Sequence, residues 1–282
     1  MPPAARAPRP PGVPAVAPVT PPPSVSVVLL NHDYGRYVGE ALASAVGQEP
    51  GGYRLDEVVV VDDGSTDGSR EVYARFPGVR VVEKAHEGFA ATLTRAVREA
   101  SGRWFVPLDA DDAFTPDKLR TLAPHMADPD LLFIQHAEHV VDARGEPFGP
   151  GLHPGGATST LAVRADAARD LLPVTNELFF HVLADVGRGR VLPAPLTRYR
   201  VHEQSMTDRR TPGVFTDYMA GVCAEVAARL DELSARPPAW AGADRLAGLA
   251  ADYRRRAAEH REEARRRRER AAAAAGREGR SP

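Results

Sequence analysis

The stretch EVVVVDDGSTDG, residues 57–68, runs four valines straight into two aspartates and a glycine turn. An apolar run without alternation predicts a strand buried on both faces, and such strands belong to parallel sheets covered by helices. The same unit recurs outward from it. VSVVLL (25–30) comes before, followed by the helical pattern YVGEALASAVGQ (37–48), and SREVYARF (69–76) supplies the next helix. VRVVEK (79–84) reads as a third strand, GFAATLTRAVREASG (88–102) as a helix closed by glycine, and RWFVPL (103–108) as a fourth strand. Strands alternating with helices predict right-handed crossovers and an α/β, Rossmann-like, mostly parallel sheet with helices on both faces.

Beyond residue 112 the alternation loosens. DKLRTLAPHM (117–126) is helical, DLLFIQHAEHVV (130–141) is a strand with a polar second half, and residues 145–156 read as a Gly/Pro-rich loop. ATSTLAVRADAARDLL (157–172) reads as a strand and helix, ELFFHVLADVG (177–187) as a helix, and RVLPAPLTRYRVHE (190–203) as a last strand region. Three parts are expected: a proline-rich, unfolded leader over 1–23, an α/β unit over 24–208, and a helical extension over 209–282. That extension carries nine arginines and four glutamates over residues 253–270. Its first reading is a solvated helix with internal charge pairs; peripheral contact with a membrane through the arginines is the alternative.

Bulk composition excludes several classes. With 36 Lys+Arg against 38 Asp+Glu the net charge is -2, which gives no field drawing the whole chain to nucleic acid. The single cysteine, Cys223, cannot form an internal disulfide. No apolar run approaches the roughly 20 residues of a membrane span. Nor does the beginning of the sequence read as a signal peptide, so a cytoplasmic setting is expected.

In open parallel sheets, ligands bind outside the carboxyl ends of the strands. Two acidic clusters fall at such ends: Asp62 and Asp63 after VVVV, and Asp109, Asp111 and Asp112 after WFVPL. Crowded carboxylates are relieved by a divalent cation, and oxygen ligands suit Mg2+ or Mn2+, which usually complete their shells with substrate phosphates and water. Helix capping is the competing explanation. It serves for Asp67, and for Asp112 ahead of Thr115 and Pro116, but it gives no reason for the Asp109/Asp111 pair. The phosphate loop GxxxxGK[ST], the dinucleotide motif GxGxxG, the nucleophile elbow and Cys/His zinc spacings do not occur. A calcium loop counted from Asp109 would need Gly at 114 and Glu at 120, where Phe114 and Arg120 stand. A haloacid-dehalogenase-like phosphatase also uses DxD, but prefers Thr or Val at the position of Ala113.

Four segments, VSVVLLNHDYGRYVGEALASAVGQ, EVVVVDDGSTDGS, HEGFAATLTRAVREASGRWFVPLDADD and LPAPLTRYRVHEQSMT, resemble in order and spacing the family 2 glycosyltransferases of the GT-A fold. The resemblance runs from residue 25 to 207. It implies inverting transfer of a sugar from a nucleoside diphosphate sugar donor to an acceptor hydroxyl, with Mg2+ or Mn2+ bridging the diphosphate. Carried over, it puts Asn31 and Asp33 in the nucleoside loop and Asp62 and Asp63 on base and ribose. Asp109 and Asp111 become the DxD, with Asp109 on ribose or metal and Asp111 on metal. Asp112 becomes a sugar contact or a support for the pair, and His202 faces metal or diphosphate.

Two departures stand out. Where relatives place a phosphate-binding Arg, this chain has Leu93, with Arg95 and Lys84 as substitutes. Inversion needs a carboxylate opposite the leaving diphosphate. At the place where relatives supply it, this chain has Asn176, which cannot accept a proton, and the role passes to Glu177. These departures keep open a catalytically degenerate nucleotide-sugar-binding protein. The glycine-rich 145–156 segment, with His153, is expected to close over the donor.

Overall fold

The computed structural model describes residues 21–203 and 211–278. Most of the expected leader (1–20), the end of the expected α/β unit (204–208) and the chain's last four residues lie outside them.

The first half of the chain follows the valine pattern closely. Strand β1 (Ser24–Asn31) leads to helix α1 (Val38–Val46), β2 (Arg54–Asp62) to the short α2 (Ser69–Tyr73), and β3 (Arg80–Glu83) to α3 (Phe89–Glu99). Strand β4 (Trp104–Asp109) returns beside β1. All four run parallel in the order β3-β2-β1-β4. Val27, Val28, Leu29, Val59, Val60, Val61, Phe105 and Val106 are completely buried. Each such side chain contributes about 1.5–3 kcal/mol relative to exposure, which fixes this sheet as the core. Alternate residues feed two clusters: Val28, Val59, Val61 and Phe105 pack with α3 on one face, and Val27, Leu29, Val60 and Val106 with α1 on the other. The turn into β4 needs a glycine, because a Cβ on Gly102 would meet Ser26 N at 2.6 Å.

The second half departs from simple alternation. Strand β5 (Ala113–Phe114) precedes α4 (Lys118–Met126); β6 (Phe133–Val141), β7 (Pro147–His153) and β8 (Leu161–Arg164) follow, the last leading into α5 (Ala165–Asp170). Helix α6 (Leu178–Leu183) leads into β9 (Gly189–Arg200), and the full order is β3-β2-β1-β4-β8-β6-β9-β5. Strand β8 is antiparallel to both β4 and β6, β5 is antiparallel to β9, and β6 and β9 are parallel. The carboxyl ends of β4, β6 and β9 therefore point the same way as those of β1 and β2.

The 145–156 segment read as a loop is a strand over most of its length. Strand β7 pairs antiparallel with β6 at Glu138↔His153, His139↔Leu152 and Val141↔Pro147, with a register shift. Gly149 and Gly151 sit at φ 62 and 72. A strand that pairs on one side tolerates proline and irregular glycine backbone, which is why composition suggested a loop.

Helices α7 (Val214–Ala235) and α8 (Ala243–Glu278) form an antiparallel pair. Val222, Val226 and Leu230 of α7 and Leu246, Ala250 and Tyr253 of α8 join the same buried cluster as Phe179, Phe180 and Leu183 of α6. The arginine run is largely occupied with partners. Arg265, Arg266 and Arg267 pair with Glu262, Glu263 and Glu269 within α8, Arg254 reaches Asp231, and Arg268 reaches Asp217. None of the described helices is long and apolar enough to cross a membrane.

Candidate active site

The carboxyl edge of the sheet gathers three groups of side chains. The first is built where β1 and β2 end. Asn31 and Asp62 are nearly or fully buried and are consumed in shaping the VDDGS turn. Asp62 accepts hydrogen bonds from Ser65 N at 2.7 Å and from the Tyr73 hydroxyl at 2.5 Å. The Asn31 amide donates to Ser65 Oγ at 3.0 Å and lies 2.6 Å from Tyr73 Oη. Asp33, at φ 56, accepts from Thr66 N at 2.6 Å and so ties the first loop to the second. Gly64 is required here: its φ is 76, and a Cβ would come within 2.9 Å of His86 N.

Asp63 points the other way, into the segment after β3. It accepts from the backbone N–H groups of Glu87 at 2.9 Å and Gly88 at 2.8 Å, and it pairs with Lys84. Burial alone would raise its pKa, but Lys84 and the two amides outweigh that and hold it lowered. His86 Nδ1 lies 3.0 Å from Asp63 Oδ2, and the His86 ring stacks on His32 with centroids 3.9 Å apart. His32, Asp63 and His86 bring three possible ligand atoms within 4.8 Å of one another. Neither histidine is singled out in the sequence, because only the fold brings the two rings and Asp63 together.

The second group is the DADD turn. Asp111 Oδ2 lies 3.0 Å from His202 Nε2, at the end of β9. Tyr34 and Tyr37 enclose the imidazole, with centroids 5.5 and 5.0 Å away. Asp109 receives its positioning through its backbone N–H, which donates to Ser159 Oγ at 2.9 Å. Burial, then Asp111, then Glu177 push the Asp109 carboxyl well above its ordinary range. Asp112 is buried; it accepts from Arg200 N at 2.8 Å, and among the described residues its other oxygen has no hydrogen-bond partner. Burial and the charges of Asp111 and Asp109 raise its pKa strongly as well. Among the described residues the expected set of Asp109, Asp111 and His202 does not close to within 4.8 Å as the His32/Asp63/His86 group does. What the structure does bring together is Asp111 and His202, with Asp109 beside them.

Arg200 braces this turn, and nothing in its sequence context marks it for that role. Its Nε donates to Asp111 O at 2.8 Å, its guanidinium pairs with Glu40 at 2.6 Å, and it lies over the Tyr37 ring. Arg95, expected near the donor phosphates, is turned away. It pairs with Glu99 at 2.7 Å one helical turn on, and Glu99 in turn holds Arg80 at the opposite end of β3. Of the two substitutes considered for Leu93, only Lys84 faces the crevice region. Leu93 itself is fully buried in the core.

The third group is the turn before α6. Asn176 is buried; its side-chain oxygen accepts from Leu178 N at 2.9 Å, starting the helix, and its amide donates to Tyr218 Oη of α7 at 2.7 Å. Glu177, between them, carries a pKa raised to about 7 by burial. Its charge bears on Asp109 and on Tyr218. A carboxyl titrating near neutrality beside the DADD turn has the properties of a proton acceptor.

A half-parallel sheet with its acidic turns gathered at one edge is the architecture of GT-A glycosyltransferases. The fold matches Staphylococcus aureus TarS 1–349 in complex with UDP-GlcNAc at TM-score 0.59, 17% identity, over 83% of this chain and 72% of that one. It also matches the mannosyltransferase PcManGT of Pyrobaculum calidifontis, solved with GDP-Man and Mn2+, at TM-score 0.53 and 20% identity over 92% and 78%. The model of glycosyl transferase family 2 matches residues 24–164, half of the sequence, and the chain belongs to that family. Among its relatives is an uncharacterized glycosyltransferase of Nostoc sp., 26% identical over 63% of this chain and 65% of that protein. The chondroitin synthase of Pasteurella multocida is 33% identical over 46% of this chain and 14% of its own length. The chain thus spans just under two thirds of the Nostoc relative and far less of the synthase.

Proposed function

We propose that this glycosyltransferase moves a sugar, with inversion, from a nucleoside diphosphate sugar to an acceptor hydroxyl. The observation that carries the proposal is the DADD turn at the carboxyl edge of the sheet, where Asp111 lies 3.0 Å from His202 and Asp109 is held by Ser159, with the charge of Glu177 bearing on Asp109. The nucleoside lies at the first group, where the exposed edges of the His32/His86 stack and Asp33 face outward while Asn31, Asp62 and Asp63 hold the loops in shape. Asp109 contacts the ribose side of the donor, Asp112 supports the turn from beneath, and Lys84 supplies positive charge near the phosphates.

The residues present suit a divalent cation. Asp111 and His202 give one carboxylate oxygen and one imidazole nitrogen, a mixed set that Mn2+ accepts more readily than Mg2+. A cation held there would stabilise negative charge on the departing diphosphate. Glu177, ionised, accepts the proton of the acceptor hydroxyl as that oxygen forms its bond to the anomeric carbon. The bond from that carbon to the diphosphate breaks on the opposite side, and configuration inverts.

The locked Asn176 favours a second reading, a protein that binds donor without transferring it. Incubation with UDP-, GDP- and dTDP-sugars and Mn2+, followed by thermal shift and nucleoside diphosphate release, separates the two. A shift with release supports the transferase, and a shift without release supports the binder. No shift with any donor contradicts both.

A further inference from the structure

Tyr218 belongs to the helical extension, yet its hydroxyl reaches the turn that carries Glu177. Asn176 Nδ2 donates to Tyr218 Oη at 2.7 Å, while Asn176 Oδ1 accepts from Leu178 N at 2.9 Å. One buried amide therefore links α7 to the first turn of α6, with Glu177 between the two anchored residues. Tyr218 remains 45% exposed, and Val214, one turn earlier on the same face of α7, is 43% exposed. An apolar ring face beside a carboxyl group is an amphipathic surface.

We infer that Tyr218 is the acceptor-side wall of the site: its ring carries a sugar ring of the acceptor, and its hydroxyl, through Asn176, sets the direction of Glu177. The inference rests on the transferase reading above and names the acceptor class as carbohydrate. A pyranose presents C–H groups from its faces and hydroxyls from its edge. The C–H groups meet the negative face of the aromatic ring, and an edge hydroxyl is then turned toward Glu177. A Tyr ring orders such a ligand at small entropic cost, since only two side-chain torsions are fixed.

The test uses the full chain with UDP or GDP and Mg2+ and a panel of methyl β-glycosides, read by saturation-transfer NMR. Saturation of the glycoside ring protons is expected in the wild type and in Tyr218→Trp, and its loss is expected in Tyr218→Ala. In transfer assays Tyr218→Ala should raise the acceptor KM about tenfold, with the donor thermal shift kept. Tyr218→Phe should keep the KM and lower kcat, because it retains the ring but frees Asn176. Absence of glycoside saturation in the wild type, or an acceptor KM unchanged in Tyr218→Ala with the donor shift intact, overturns the inference alone. Failure of the wild type to bind any nucleoside diphosphate sugar overturns it together with the transferase reading.

Discussion

His202 Nε2 stands 3.0 Å from Asp111 Oδ2, although 91 residues separate them, and Tyr34 and Tyr37 hold the imidazole in place. The contact joins the end of β9 to the end of β4, so the pair forms only when the two halves of the sheet are assembled. If the pair holds the cation, Asp111→Ala abolishes the manganese dependence of donor binding. His202→Ala weakens manganese affinity by about 10–100-fold and leaves metal-free binding of the nucleoside diphosphate unchanged. Titration of Mn2+ against the thermal shift, with donor present, measures both.

Glu177 sets the pH dependence. Its pKa of about 7 lies above the ordinary carboxylate value, so the ionised form that accepts a proton prevails only above neutrality. Transfer should rise with pH with unit slope and level off above about 7. Glu177→Gln should lower kcat by about 100–10,000-fold without changing the donor shift. The same burial works against stability. A carboxyl with a raised folded pKa contributes fully below its unfolded pKa, and that contribution is lost as pH rises through about 7. Glu177→Gln should therefore be relatively more stable at pH 8 than at pH 4, a difference measurable by urea denaturation at the two pH values.

Lys84 keeps Asp63 ionised out of solvent. Lys84→Met leaves the carboxylate with two backbone donors and His86, and should destabilise the fold by about 2–3 kcal/mol at pH 7. Because the Asp63 pKa is lowered, its contribution is present above the unfolded value and lost as pH falls through the folded one. The gap between wild type and Lys84→Met in urea midpoints should therefore narrow on acidification.

Gly64 permits the turn between Asp63 and Ser65. Alanine there combines a φ of 76 with a Cβ 2.9 Å from the His86 backbone nitrogen. A cost of about 1–3 kcal/mol is expected, together with weaker nucleoside binding as the His32/His86 stack is displaced. Calorimetric melting and nucleoside diphosphate titration report the two effects separately.

Much of the parallel half of the fold was legible because valine runs between helices have few alternatives. Asp62, Asp63, Asp109 and Asp111 were legible as strand-end acids for the same reason. In the structure Asn31 and Asp62 bond within the VDDGS turn, and Asp63 accepts from the segment after β3. Strand β7 was hidden because its glycines and prolines carry loop composition, and only pairing with β6 makes it a strand. His32, His86, Arg200 and Tyr218 were invisible for a common reason. Each takes its place from contacts spanning tens to more than a hundred residues, and a single side chain carries no period of its own. Arg95 pairs with Glu99 on its own helix, since nearness in sequence to the expected cation site does not set the direction in which a helical side chain points.

The central claim is direct displacement at the anomeric carbon with Glu177 as base. The most direct test is the anomeric configuration of the product, read by proton NMR of the new glycosidic linkage formed from an α-linked nucleoside diphosphate sugar with Mn2+. The account predicts a β-linked product and one equivalent of nucleoside diphosphate. An α-linked product, or undiminished transfer by Glu177→Gln in the same experiment, would contradict it.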